Sequence, residues 1–276
     1  MTVITYLLTY AVFLSINALQ LAPITRAEGE KPTNIVFILA DDLGYGELGC
    51  FGQESIKTPR IDALAEQGLR LTSHYSGSPV CAPARCTLLT GLHTGHAVVR
   101  NNRELGGWGP DEPEGQYPLP KETPTLSASL QAMGYTTGVF GKWGLGGPDT
   151  TGLPNVQGFD EFYGYLCQRV AHNYYPTHLW KNTEKEMLQG NDSWFSAHQK
   201  IATENDFAQF SASTSASTYA PDRIIEEAVD FIDTHADEPF FVYFASTIPH
   251  LALQIPDEEL DAYPMEWDEE PYLGDK

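Results

Sequence analysis

Residues 34–40, Asn-Ile-Val-Phe-Ile-Leu-Ala, form a near-continuous apolar run rich in β-branched side chains. Such a run predicts a strand buried on both faces, as found in largely parallel sheets covered by helices. Phe240 to Ala245 has the same character, and Tyr135 to Phe140 reads as a further strand. Helical patterns separate them. Thr58-Pro59 opens one through Ile61, Leu64 and Ala65, closed by Gly68. Thr123-Pro124 opens another through Leu126 and Leu130, ending at Gly134. Pro before the first turn and Gly after the last are the expected helix boundaries. Pro221 opens an amphipathic helix with Ile224, Ile225, Ala228, Val229 and Ile232 on one side. Alternating helices and buried strands imply an α/β sandwich with a mostly parallel central sheet flanked by helices. A chain of 276 residues is long enough to bury one large core of this kind.

The segment from Gly146 to about Thr218 differs. It is polar and aromatic, with Tyr163, Tyr165, Tyr174, Tyr175, Trp180 and Trp194. It predicts long excursions above the sheet, with a flexible low-complexity stretch near Ser211. The aromatic side chains suit either stacking on sugar rings or ordinary loop packing. Asn191-Asp192-Ser193 matches a glycosylation sequon.

Charge narrows the partners. A net charge of −21 excludes a general nucleic-acid binder. An anionic substrate would need a locally basic site. The N-terminus from Tyr6 to Leu21 is apolar and uncharged, and Thr25-Arg26-Ala27 offers small residues at signal-peptidase spacing. This predicts a secretory signal peptide over residues 1–27, cleaved near Ala27, and a mature domain over 28–276 that is secreted or periplasmic. The run is short for a membrane span, so no stable insertion is expected. Four cysteines, Cys50, Cys81, Cys86 and Cys167, do not make a disulfide framework if Cys81 is chemically used. The other three are expected to be small buried hydrophobes.

Each candidate strand ends in groups suited to chemistry: Asp41-Asp42 after the first, Gly141-Lys142 after the second, Pro249-His250 after the third. Ligands of open α/β sheets bind outside the carboxyl ends of the strands. Adjacent carboxylates there suit a hard divalent cation or, alternatively, a turn or helix cap. Cys81-Ala82-Pro83-Ala84-Arg85, continued as Cys86-Thr87-Leu88-Leu89-Thr90-Gly91, predicts a helix that begins at Cys81 and closes at Gly91. Cys81 would then lie where backbone N–H groups favour an anion, with Arg85 one turn on along the same face.

This stretch resembles the sulfatase signature, Cys-x-Pro-x-Arg followed by Leu-Thr-Gly. The resemblance extends from Lys31 to about Pro256. It implies an alkaline-phosphatase-like sandwich in which a formylglycine-generating enzyme oxidises Cys81 to an aldehyde. The hydrated aldehyde has two hydroxyls: one attacks sulfur and expels the alcohol, and the other collapses to release sulfate. Asp41-Asp42-Leu43-Gly44-Tyr45-Gly46 is similar to the family's calcium-binding segment, which implies Asp41, Asp42 and position 81 as calcium ligands. Gly141-Lys142-Trp143-Gly144-Leu145-Gly146 resembles Gly-Lys-Trp-His-Leu-Gly, which implies sulfate binding by Lys142. Gly144 stands where the family has His, so His172 is a candidate to replace that imidazole. His250 matches the family's Pro-His, implying a hydrogen bond to sulfate or a general acid. His93 and His96 have no such counterpart.

The resemblance implies hydrolysis of an aryl or carbohydrate sulfate. Full-length sulfatases supply, after the Pro-His strand, an Asp-Asn metal pair, a second sulfate-binding Lys and a smaller C-terminal domain. The sequence is therefore expected to be a sulfatase catalytic domain lacking its C-terminal part, with impaired turnover. A phosphonate or phosphodiester hydrolase of the same superfamily is one alternative. A non-catalytic secreted remnant that binds sulfated glycans is the other.

Overall fold

A computed structural model describes residues 32–264, apart from 107–110, 112–113, 193–202, 206–217, 252 and 261. The fold lies in the unit Asn34–Lys276. The proposed signal peptide, Trp194 and the Ser211 stretch lie outside the described residues.

The described strands are β1 (Ile35–Asp41), β2 (Thr136–Lys142), β3 (Glu161–Tyr165), β4 (His178–Lys181), β5 (Glu184–Met187) and β6 (Phe240–Pro249). The helices are α1 (Pro59–Gln67), α2 (Cys81–Thr90), α3 (Leu126–Ala132), α4 (Ala220–Thr234) and the single turn α5 (Asp257–Leu260). One six-stranded sheet has the order β1-β6-β2-β3-β4-β5. β1, β6, β2 and β3 run parallel, and β4 and β5 add an antiparallel margin. The four parallel strands therefore deliver their carboxyl ends to one edge.

Alternation along the strands splits the core in two. Val139, Phe162, Phe241 and Tyr243 pack with Ala82, Cys86 and Leu89 of α2. Phe140, Tyr163, Tyr165 and Val242 pack with Ile224, Ala228 and Phe231 of α4. Helices thus cover both faces of a mostly parallel sheet, as the sequence predicts. Gly141, with φ 114°, is required where β2 meets β6, because a Cβ there would lie 2.0 Å from the Ala245 carbonyl oxygen.

Several expectations are corrected. Among the described residues β1 is an edge strand, and one of its faces is uncovered: Val36 and Ile38 are 49% and 64% exposed. The described residues after Gly146 are not all excursion: they include β3, β4 and β5, which widen the sheet. Its aromatics Tyr163, Tyr165, Tyr174, Tyr175 and Trp180 are buried packing groups and are not displayed for a sugar. α3 starts later than Thr123-Pro124, because the Thr125 hydroxyl accepts from Ala128 N and caps the helix there. On α4 the apolar stripe is wider than the buried face: Ile225 and Val229 are exposed.

Cys86 and Cys167 are buried and Cys50 is half-buried; all four cysteines are free. Asn191 is buried, its amide nitrogen donating to the carbonyls of Pro176 and Thr218, so this sequon is closed to a glycan in the folded chain.

Candidate active site

Three strand ends and one helix start converge. β1 ends at Asp41, and Asp42 turns away with φ 60°, a left-handed conformation that Asp tolerates. β2 ends at Lys142. β6 slips register near its end, so Asp41 lies opposite Pro249 and His250 follows it into the cluster. Cys81 is the first residue of α2, which Gly91 closes at φ 66° with its N–H on the Thr87 carbonyl. The next N–H of that helix, Ala82, is accepted by the Asn102 side chain at 2.9 Å. Ligand atoms of Asp41, Cys81 and His250 lie within 4.8 Å of one another.

Buried charges tie these elements together. Lys142 Nζ donates to Asp41 Oδ2 at 2.6 Å, and Arg85 Nη2 lies 3.5 Å from Asp41 Oδ1. Arg85 Nη1 donates to the Lys142 carbonyl at 2.6 Å and approaches the Tyr243 hydroxyl at 3.5 Å. Lys142, Arg85 and Asp41 are all buried. Arg85 therefore braces β2 against α2 and β1. Its Nε has no hydrogen-bond partner among the described residues.

Burial alone would raise the Asp41 carboxyl. The Lys142 and Arg85 charges and the Lys142 hydrogen bond outweigh it, and Asp41 titrates below its ordinary value. Burial opposes ionisation of the Cys81 thiol, but a hydrogen bond with His250 and the Lys142 charge bring it below the usual thiol value. His250 is pushed down by burial and by Lys142. Its hydrogen bonds to Cys81 and the Leu251 carbonyl, with the Asp41 charge, raise it on balance. The geometry agrees: His250 Nδ1 is 3.0 Å from the Leu251 oxygen and Nε2 is 3.3 Å from Asp42 Oδ2. Both ring nitrogens face acceptors, which favours the imidazolium.

His172 also reaches this cluster. It ends a 3₁₀ turn, Val170–His172, and stacks on His250 with centroids 4.2 Å and planes 7° apart. Its Nε2 is 3.3 Å from Lys142 Nζ. Position 144 is a glycine with φ 77°, and a Cβ there would lie 2.7 Å from Gln168 Cγ. Gln168 thus fills the space beside Gly144, and its Nε2 donates to Asn102 at 3.4 Å. His93 and His96 are exposed and outside the cluster. Asn102, Gln168 and Tyr243 carry no sequence signal, since each is recruited by tertiary packing alone.

Asp41, buried and paired with cations, lies with position 81 and offers one hard oxygen ligand for a divalent ion, whereas Asp42 is outside that group and faces His250. The Asp42 side chain is 59% exposed, and its Oδ2 is already engaged 3.3 Å from His250 Nε2.

The sulfatase family model matches residues 33–270. Human arylsulfatase A is 47% identical over 135 residues, covering 49% of this chain and 25% of that protein. Mouse arylsulfatase J is 31% identical over 247 residues, covering 87% of this chain and 36% of that protein. The chain thus spans about a quarter to a third of the length of these relatives. Among solved structures, Ps i-CgsB in complex with k-i-k-neocarrahexaose aligns with a TM-score of 0.65 at 28% identity, covering 87% of this chain and 50% of that one. The PsFucS1 sulfatase from Pseudoalteromonas sp. aligns with a TM-score of 0.61 at 25% identity, covering 86% and 48%.

Proposed function

The chain belongs to the sulfatase family, and from that premise we propose that it hydrolyses a sulfate ester at the cluster around position 81. The observation that carries this reading is the convergence of Asp41, Lys142, His250 and the α2 N-terminus on one side chain. A chain of net charge −21 repels anions at long range, so the buried Lys142 and Arg85 supply the local positive field.

The contacts support this assignment of roles. Lys142 holds the sulfate oxygens. Arg85, spent on Asp41 and the Lys142 carbonyl, adds charge and fixes Lys142 in place. His250, hydrogen-bonded to Cys81, carries a proton to the departing alkoxide oxygen. Formylglycine at position 81, made from Cys81 by the formylglycine-generating enzyme, supplies an attacking hydroxyl and a second hydroxyl whose collapse frees sulfate. Calcium held by Asp41, Asp42 and position 81 would offset sulfate charge and lower the pKa of the attacking hydroxyl. The N-terminal apolar run directs the domain out of the cytoplasm; among the described residues no helix is long and apolar enough to cross a membrane.

The substrate is an aryl or carbohydrate sulfate. The likeness to a structure solved with a neocarrahexaose supports the carbohydrate class. The test offers an aryl sulfate, a sulfated oligosaccharide and an aryl phosphonate to the protein made with the modifying enzyme, with Cys81→Ala as the blank. Sulfate release that disappears in Cys81→Ala is the expected result. Faster turnover of the phosphonate than of either sulfate would overturn the reading.

A further inference from the structure

An ammonium group has three hydrogens to donate, and their directions decide what it can bind. Lys142 is buried, so each donor needs an acceptor or a ligand. One goes to Asp41 Oδ2 at 2.6 Å. A second faces His172 Nε2 at 3.3 Å. Because the ammonium can only donate, His172 Nε2 must carry its lone pair there, and any ring proton must sit on Nδ1. His172 therefore cannot protonate a leaving group through Nε2, whereas the stacked His250 presents both ring nitrogens to acceptors.

His172 is held firmly enough for such a task. It is buried, and the loop that carries it is strapped to the end of β6. The Tyr174 hydroxyl donates to the Thr247 carbonyl at 2.8 Å and also contacts the His250 carbonyl, and Tyr174 N donates to Gln254 Oε1 at 2.7 Å. The Tyr165 hydroxyl fixes the Asn173 carbonyl from below at 2.8 Å.

We propose that His172 is a positioning residue for Lys142: with Asp41 it takes two of the three ammonium hydrogens and leaves the third for the substrate's sulfate oxygen. The inference rests on the sulfatase reading of the site. It separates two imidazoles that lie face to face: His250 exchanges the proton, and His172 aims the cation.

The probe is inorganic sulfate, titrated calorimetrically into the unsubstituted protein, His172→Leu, His172→Gln, Lys142→Gln and the Lys142→Gln, His172→Leu double variant. A hydrogen bond to a charged group is strong enough that losing it should weaken sulfate binding by about tenfold or more. His172→Leu should show that loss. His172→Gln, which keeps an acceptor near Nε2, should recover most of it. In the Lys142→Gln background His172→Leu should add little, because the effect passes through Lys142. Nitrogen NMR of the unsubstituted protein gives a readout that needs no variant, and an unprotonated Nε2 on His172 is expected. A proton on Nε2, or equal losses from His172→Leu with and without Lys142, would overturn the inference while leaving the sulfatase reading intact. Failure of the unsubstituted protein to bind sulfate would instead remove the anion site itself and this inference with it. If His172→Leu does not fold, the decision passes to His172→Gln and the NMR result: a large loss in His172→Gln with Nε2 protonated would sink the proposal.

Discussion

Lys142 Nζ and Asp41 Oδ2 stand 2.6 Å apart across 101 residues of chain, and both side chains are buried. The ends of β1 and β2 are therefore locked by a buried ion pair. Arg85, from α2, bonds to both partners. Two cations thus share one carboxylate, Asp41.

Removing that carboxylate should be severe. Asp41→Asn leaves Lys142 and Arg85 buried beside each other with no anion between them. Breaking a buried pair from one side is destabilising by about 3–5 kcal/mol. Urea unfolding at neutral pH should show a loss of that order. A loss within about 0.5 kcal/mol, the range of ordinary surface substitutions, would mean that water reaches the pair.

Glu114 provides a pH test away from this cluster. Burial pushes its carboxyl up. Hydrogen bonds and charge from His178, the Trp180 indole at 2.9 Å and Lys185 at 3.4 Å outweigh burial and hold it below the ordinary glutamate value. A depressed folded-state pKa contributes stability that is fully present above the unfolded value, about 4.3, and is lost as pH falls through the lowered one. Wild type should exceed Glu114→Gln in unfolding free energy at pH 7, by about 1–3 kcal/mol. The gap should close on acidification below pH ~4.3. A gap that is constant from pH 7 down to pH ~3 would show that the charge on Glu114 is not what is felt.

Gly144 should not tolerate the imidazole that the resembled motif carries. Its φ of 77° is strained for side chains, and a Cβ would strike Gln168. Gly144→His is expected to lower stability by about 1–3 kcal/mol. Adding Gln168→Ala should recover part of that loss by opening space. The check is thermal unfolding of the three proteins. An unaltered midpoint in Gly144→His would show that the loop moves freely to accept it.

The sequence announced most of this site because its groups follow strand ends and a helix start. The runs before Asp41, Lys142 and His250 were apolar enough to be seen as strands, and each strand placed its next residue at the carboxyl edge. The differences from the sequence expectation follow from the same physics. Residues 34–40 looked buried on both faces because hydropathy cannot distinguish a central strand from an edge one. β3 to β5 escape a sequence reading because they have only five, four and four residues: Gly164 breaks the aromatic run of β3, charged or polar residues flank Leu179-Trp180 in β4, and β5 is Glu-Lys-Glu-Met. Tyr163 and Tyr165 share a face only once β3 is recognised. His172 was visible as a candidate, but its contact with Lys142 depends on a loop strapped down by Tyr174, which no local pattern records.

Calcium affinity should be weak in this chain. Asp41, Asp42 and one oxygen at position 81 fall short of the roughly six to eight oxygens calcium takes. Lys142 and Arg85 also compete for Asp41. Calorimetry should give a Kd of about 10⁻³ M or weaker, at or beyond the weak end of the range of protein calcium sites. Binding should vanish in the Asp41→Asn, Asp42→Asn double variant. Tight binding that survives those substitutions would place the metal elsewhere.

The central claim is that position 81 is the reacting group of a sulfatase site, and peptide mass spectrometry tests it most directly. The protein is made in a host that contains the formylglycine-generating enzyme, digested, and treated with a hydrazide and with an alkylating agent. The account predicts that residue 81 is recovered as an aldehyde that forms a hydrazone, while Cys86 in the same helix remains an alkylatable thiol. An intact, alkylated Cys81 in every such host would contradict it.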